Sequence, residues 1–145
     1  MANKTNYSEG LKHPTFIFKE VLTKSLVIFI GIGIVAGFAF GVYLIDFKQD
    51  ELIQIKIINS GTNALTFSDS SYGLKITGLS GILMYSPIST QVISILDPSD
   101  EIIFSWDQIK NDGDIALDGV YKISVKGMDV DGNNVEKSTT VTIWK

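Results

Sequence analysis

The chain has 145 residues, with 12 lysines and no arginine, 16 acids, one histidine and no cysteine, for a net charge of −4. That length suffices for one domain with a real core and not for two. The missing cysteine removes disulfide and thiolate chemistry, and the acidic balance argues against nucleic acid as a partner.

Charge divides the chain into three zones. Residues 1–24 carry four lysines against two acids, a net of +2; residues 25–45 carry no charge; residues 46–145 carry eight lysines against fourteen acids, a net of −6. In the first zone Pro14 suits a first helical turn. Phe16, Ile17, Val21 and Leu22 recur among Lys19, Glu20 and Lys24, which predicts a partly helical segment. His13 stands alone beside Pro14 and reads as a solvated linker residue, since one histidine makes no metal site.

Residues 25–45 read Ser-Leu-Val-Ile-Phe-Ile-Gly-Ile-Gly-Ile-Val-Ala-Gly-Phe-Ala-Phe-Gly-Val-Tyr-Leu-Ile, 21 residues between Lys24 and Asp46. As a helix they would cover about 31 Å, matching a hydrocarbon core of about 30 Å. A buried helix of a soluble protein would be shorter and carry a polar stripe. A cleaved signal peptide would have a shorter apolar region and a small-residue cleavage site, and a pilin-type signal would place glycine or alanine where Lys24 stands. A single retained transmembrane helix is therefore expected, with Tyr43 at one interface. Lys4, Lys12, Lys19 and Lys24 put the N-terminus in the cytoplasm and the rest of the chain outside. The sequons at Asn3 and Asn6 then lie on the inner side, as chance matches. Gly33, Gly37 and Gly41 fall on one helical face, four residues apart, beside Ala36 and Phe40. Such a face lets a second backbone approach closely, so a partner helix is expected there.

From Lys48 onward the pattern changes to short alternating runs broken by Gly, Asn, Asp and Ser, which predicts an all-β sandwich. Strands are expected over residues 52–59, 64–67, 74–77, 82–85, 91–96, 101–106, 120–127 and 136–144. Tyr121, Ile123 and Val125 alternate with Lys122, Ser124 and Lys126, giving one buried and one wet face. Asp131-Gly132 predicts the turn between the last two strands. The apolar stretch 82–88 offers a contact surface as one reading, with sandwich core as the default.

Residues 104–133 carry a further pattern: a Trp106-Asp107 strand end, a loop with Gly113, then Gly119-Val120-Tyr121, an alternating strand, and Asp129 with Gly132-Asn133. This resembles the Ig-like domain of flagellar hook-scaffolding proteins and related envelope Ig-like modules. The glycine usual after Trp-Asp is Gln108 here. The resemblance implies an Ig-like sandwich with no catalytic residue and no cofactor. Asp118-Gly119-x-Tyr121 fits a tyrosine corner, so Trp106, Gly119 and Tyr121 are expected to be framework residues.

No nucleophile–base pair is evident, and Gly31-x-Gly33 falls within the apolar span, not in a dinucleotide-binding turn. Asp107, Asp112, Asp114 and Asp118 crowd one loop, and Asp129 and Asp131 precede Gly132. Oxygen ligands suit Ca²⁺, but the spacing is not that of an EF-hand, and Asp also favours turns. The expected organisation is thus a cytoplasmic segment (1–24), a transmembrane helix (25–45) and an extracytoplasmic Ig-like sandwich (46–145). The expected role is non-enzymatic. Such a chain would bind other membrane subunits through its helix, the lipid bilayer around it and, through the sandwich, extracytoplasmic domains. An accessory subunit of a membrane enzyme, such as archaeal ammonia monooxygenase, is one such host. The alternative is a pilin- or archaellum-like filament or cell-surface component.

Overall fold

The structure, a computed structural model, describes residues 25–30 and 45–145, with side chains from residue 46. Among the described residues there are ten strands: β1 (Ser25–Ile30), β2 (Ile45–Lys48), β3 (Ile53–Asn59), β4 (Leu65–Phe67), β5 (Lys75–Gly78), β6 (Leu83–Tyr85), β7 (Ser94–Leu96), β8 (Glu101–Trp106), β9 (Gly119–Met128) and β10 (Asn134–Trp144). Among the described residues there is no helix, and hence none long and apolar enough to cross a membrane. The domain is all-β.

Two sheets form. In one, β3 lies between β1, which is parallel to it, and β8, which is antiparallel. In the other the order is β2-β10-β9-β4-β7, with β5 also on β9 and β6 on β5. The β9–β10 hairpin is its spine, and β2 runs parallel along the outer edge of β10. Both β4 and β5 pair with β9, at Thr66–Met128 and at residues 75–78 against 121–124. One strand path is therefore interrupted by an excursion over residues 68–74. Gly73, at φ +62°, permits it, because a Cβ there would lie 2.2 Å from the Lys126 carbonyl oxygen.

Alternation sets the core. Ile53, Ile55, Ile57 and Trp106 of the first sheet pack with Phe47, Phe67, Ile76, Ile123, Val125 and Ile143 of the second. All are essentially without exposed surface, and each buried large side chain contributes about 1.5–3 kcal/mol.

All eight strands expected after residue 46 are present. The largest change is at residues 91–96, where only Ser94–Leu96 pairs, with Leu96, Ile95 and Ser94 opposite Leu65, Thr66 and Phe67. The stretch before it turns on bonds between Thr90 and Ser70. Two findings differ from the sequence reading. Ser25–Ile30, expected to open a helix, is a strand; after Ser25 the run is continuously apolar (Leu26 to Ile30), and periodicity does not separate the two. Ile45, expected to close that helix, begins β2, opposite Val141. The remainder of the expected span, with Gly33, Gly37 and Gly41, lies outside the described residues, as does the segment 1–24.

Candidate functional site

Of the residues singled out by sequence, Trp106, Gly119 and Tyr121 converge at the end of the domain where β8 stops and β9 begins, whereas Gly33, Gly37 and Gly41 lie outside the described residues. Trp106 is fully buried. Its ring stacks on Tyr85 at 6.1 Å between centroids and meets the edge of Tyr121 at 5.7 Å. The indole N–H donates to the Ile109 carbonyl at 2.9 Å. The Tyr121 hydroxyl donates to the Leu117 carbonyl, four residues upstream, at 2.7 Å. Gly119 opens β9 at φ +150°, a conformation L side chains rarely adopt. These three residues tie the loop 107–118 to the core, and none of them lines a reactive cleft. Burial pushes both the Tyr85 and the Tyr121 phenols up from their ordinary range.

Within that loop the carboxylates bind their own backbone. Asp107 accepts from the Ile109 N–H, and Asp112 from the Asp114 N–H. Lys110 lies 3.0 Å from Asp112 and 3.6 Å from Asp114. The Asp114 N–H, then Lys110, holds the Asp112 carboxyl below its usual value, while the hydrogen bond to Asp112 raises Lys110. Asp118 pairs with Lys145 at 3.6 Å. At the opposite end Asp129 accepts from the Asp131 and Asn133 N–H groups and from the Asn133 amide, closing the β9–β10 turn with Gly132 at φ +80°. Backbone N–H donation from Asn133 holds Asp129 low. The acids thus act as turn residues, and among the described residues no three His, Cys, Asp or Glu side chains converge as a metal site. The clear shifts lower carboxylates and raise phenols and Lys110, so none of these groups is poised near neutrality for proton transfer.

Sequence reasoning missed the residue that organises this end. Gln108 has a φ of +64°, the left-handed conformation that glycine adopts without strain. Its side chain is fully buried. Nε2 donates to the Lys48 and Glu51 carbonyls, both at 2.8 Å, and Oε1 accepts from the Asp50 N–H at 3.3 Å. The departure from the glycine of the resembled pattern was the available signal. The amide anchors residues 48–51, which lead out of β2 into the domain.

The stretch 82–88 divides between the two readings. Met84 and Tyr85 pack on the core, whereas Ile82, Leu83 and Ile88 are exposed. The core default therefore fails for these three, which flank or belong to β6, a strand at the sheet margin paired with β5. Beside it, Leu52, Tyr85, Ile88, Ser105 and Ile109 line an open groove of about 510 Å³.

No family model matches the chain, and no curated protein matches it. Among solved structures, a multicopper oxidase superimposes with a TM-score of 0.37 at 10% identity, over 83% of this chain. The chain spans 44% of the length of that protein. A likeness of this size says nothing about activity.

Proposed function

We propose that this chain is a non-catalytic membrane subunit, an Ig-like sandwich held at the outer face of the bilayer by a single helix over residues 25–45, which binds and stabilises a membrane or cell-envelope complex. The observation that carries this reading is the charge zoning: 21 charge-free residues lie between a basic segment and an acidic domain. A backbone inside lipid must bond internally, and a helix does so. The same N–H and C=O groups can instead bond to a sheet edge, which is the arrangement of Ser25–Ile30 on β3. The strand pairs along one side only; a helix would bond the backbone internally and also place 21 uncharged residues in hydrocarbon. The domain beyond offers hydrophobic contact at Ile82, Leu83 and Ile88 and a set of acids engaged in turns, which fits a binding module better than an enzyme.

The test is alkaline carbonate extraction of membranes from cells making the full chain, followed by protease treatment of intact cells. The chain should stay in the membrane pellet, and external protease should remove the β-domain. Release by carbonate would overturn the anchor, and a protected domain would overturn the orientation. An intact mass beginning near Ser25 would favour the filament reading instead. Replacing Gly37 with Leu should reduce co-purification of partner subunits, because a bulky side chain blocks close helix approach.

A further inference from the structure

A pleated strand sends alternate side chains to opposite faces, so the outer face of the larger sheet can be followed from strand to strand. On β9, Val120, Lys122, Ser124, Lys126 and Met128 point outward, because the residues between them are buried. Lys75 and Thr77 of β5 lie beside Ser124 and Lys122. On the other side, Ser138 and Thr140 of β10 lie opposite the same two residues, and Glu136 opposite Lys126. β2 continues the face with Asp46 and Lys48, the latter opposite Trp144. Four lysines therefore share one face with two acids, in a region (46–145) that carries eight lysines against fourteen acids.

These cations are uncommitted. Lys56, Lys110 and Lys145 are held by carboxylates elsewhere, whereas Lys48, Lys75, Lys122 and Lys126 form no ion pair among the described residues. Exposed apolar side chains bound the patch. Trp144 and Val120, 48% and 37% exposed, stand at one end. Met128 and Ile95 stand at the other, on either side of Thr66. From Val120 to Met128 is about 26 Å at about 3.3 Å per residue. Protein interfaces favour arginine and central aromatic anchors and are depleted in lysine; this face has no arginine and carries its tryptophan at the margin. Tryptophan at the margin and hydrated lysines between suit the headgroup layer of a membrane. The chain also enters this face without a linker, since Ile45 both ends the charge-free run and begins β2.

We infer that the outer face of β2, β10, β9 and β5 is a docking surface for an anionic lipid bilayer, with Lys48, Lys75, Lys122 and Lys126 among the headgroups and Trp144 at the interface. This goes beyond the anchor and does not rest on it, because no residue of β1 belongs to this face.

The test is tryptophan quenching of the full chain in vesicles whose lipids carry brominated acyl chains. One set is phosphatidylcholine alone; the other is equal parts phosphatidylcholine and phosphatidylglycerol. Trp144 should be quenched in the anionic vesicles and spared in the neutral ones, and salt should reverse the effect. Trp106 has no exposed surface, so Trp144→Phe should abolish the lipid-dependent part. Each lysine near an anionic surface contributes about fivefold to association. Lys122→Gln with Lys126→Gln should therefore cut the quenching and lower the salt that reverses it. Lys56→Gln with Lys110→Gln, the same change of charge on other surfaces, should leave it unchanged. Equal quenching in both vesicles, none in either, or equal loss from the two lysine pairs overturns the docking surface. A Trp144 emission that answers to soluble polyglutamate and not to anionic vesicles would assign the face to an acidic protein, and one that answers to chain concentration alone would assign it to a second copy; both overturn it as well. Carbonate extraction reads the anchor separately, and its result changes none of these outcomes.

Discussion

Asn59 and Gln108 are side-chain amides with no exposed surface, one at each end of β3. Asn59 donates to the Asn63 and Leu96 carbonyls and accepts from the Gly61 N–H, fixing the loop that leaves β3. Gln108 fixes the loop that enters it. Removing either side chain strands part-buried carbonyls, at about 1–3 kcal/mol each site. Gln108→Ala should lower the urea midpoint of the full chain, followed by Trp106 fluorescence. Gln108→Gly should cost less, since glycine relieves about 1 kcal/mol of strain at positive φ. Equal midpoints for the two variants would show that the backbone there is unstrained. Tyr121→Phe keeps the ring against Trp106 and loses only the bond to Leu117, so about 0.5–1.5 kcal/mol is expected by the same measurement. Asp129 contributes to the acid-side pH response together with Asp69 and Asp112, whose carboxyls are also held low. The Asp129 carboxyl is held below the ordinary 3.8 by N–H donors, chiefly Asn133. Its contribution is therefore complete above that value and fades as pH falls through the lower folded one. In an NMR titration the Asp131 and Asn133 amide shifts should move together with a midpoint below 3.8; a midpoint at or above it would contradict the turn geometry.

At the scale of elements, the alternating strands were legible in the sequence. β3, β8 and β9 show alternate burial along their length, because a pleat sends every second side chain inward. The turn at Asp131-Gly132 was legible for the same local reason, as only a few residue types take positive φ cheaply. Three things were not legible. A run without polar residues, such as the five after Ser25, has no face, so helix and strand look alike at Ser25–Ile30. The parallel pairing of β2 with β10 joins residues about a hundred positions apart. The excursion at residues 68–74 depends on what Gly73 meets across the sheet. That last feature yields a contrast between glycines. Gly73→Ala would push a Cβ into the Lys126 backbone, and Gly127→Ala would place one 2.7 Å from the Phe67 ring. At Gly81, also at positive φ, a Cβ meets nothing. Gly81→Ala should therefore cost about 1 kcal/mol from backbone strain alone, and Gly127→Ala about 1–3 from overpacking. Gly73→Ala combines strain with a backbone clash and should be the most destabilising of the three in urea melts. A ranking with Gly81 worst would show that the excursion is not held against β9.

For the whole molecule the deciding quantity is the asymmetry of charge across the apolar run. Orientation responds to lysines close to the span and only weakly to acids, so the −6 of residues 46–145 does little to direct insertion. On the proposed anchor, Lys12, Lys19 and Lys24 would do the directing, opposed on the far side by Lys48 and Lys56 within a similar distance. The near balance of cations makes the topology sensitive. Lys19→Gln with Lys24→Gln leaves Lys12 against Lys48 and Lys56, and a substantial fraction of chains should insert inverted, with the β-domain in the cytoplasm. External protease would then spare that fraction, and an internal reporter on the C-terminus would gain signal in proportion. Asp46→Asn with Asp50→Asn, which changes the domain's charge by the same two units, should leave the protected fraction unchanged. If the acidic pair reversed insertion and the lysine pair did not, orientation would be set by retention of the folded β-domain and not by the flanking cations.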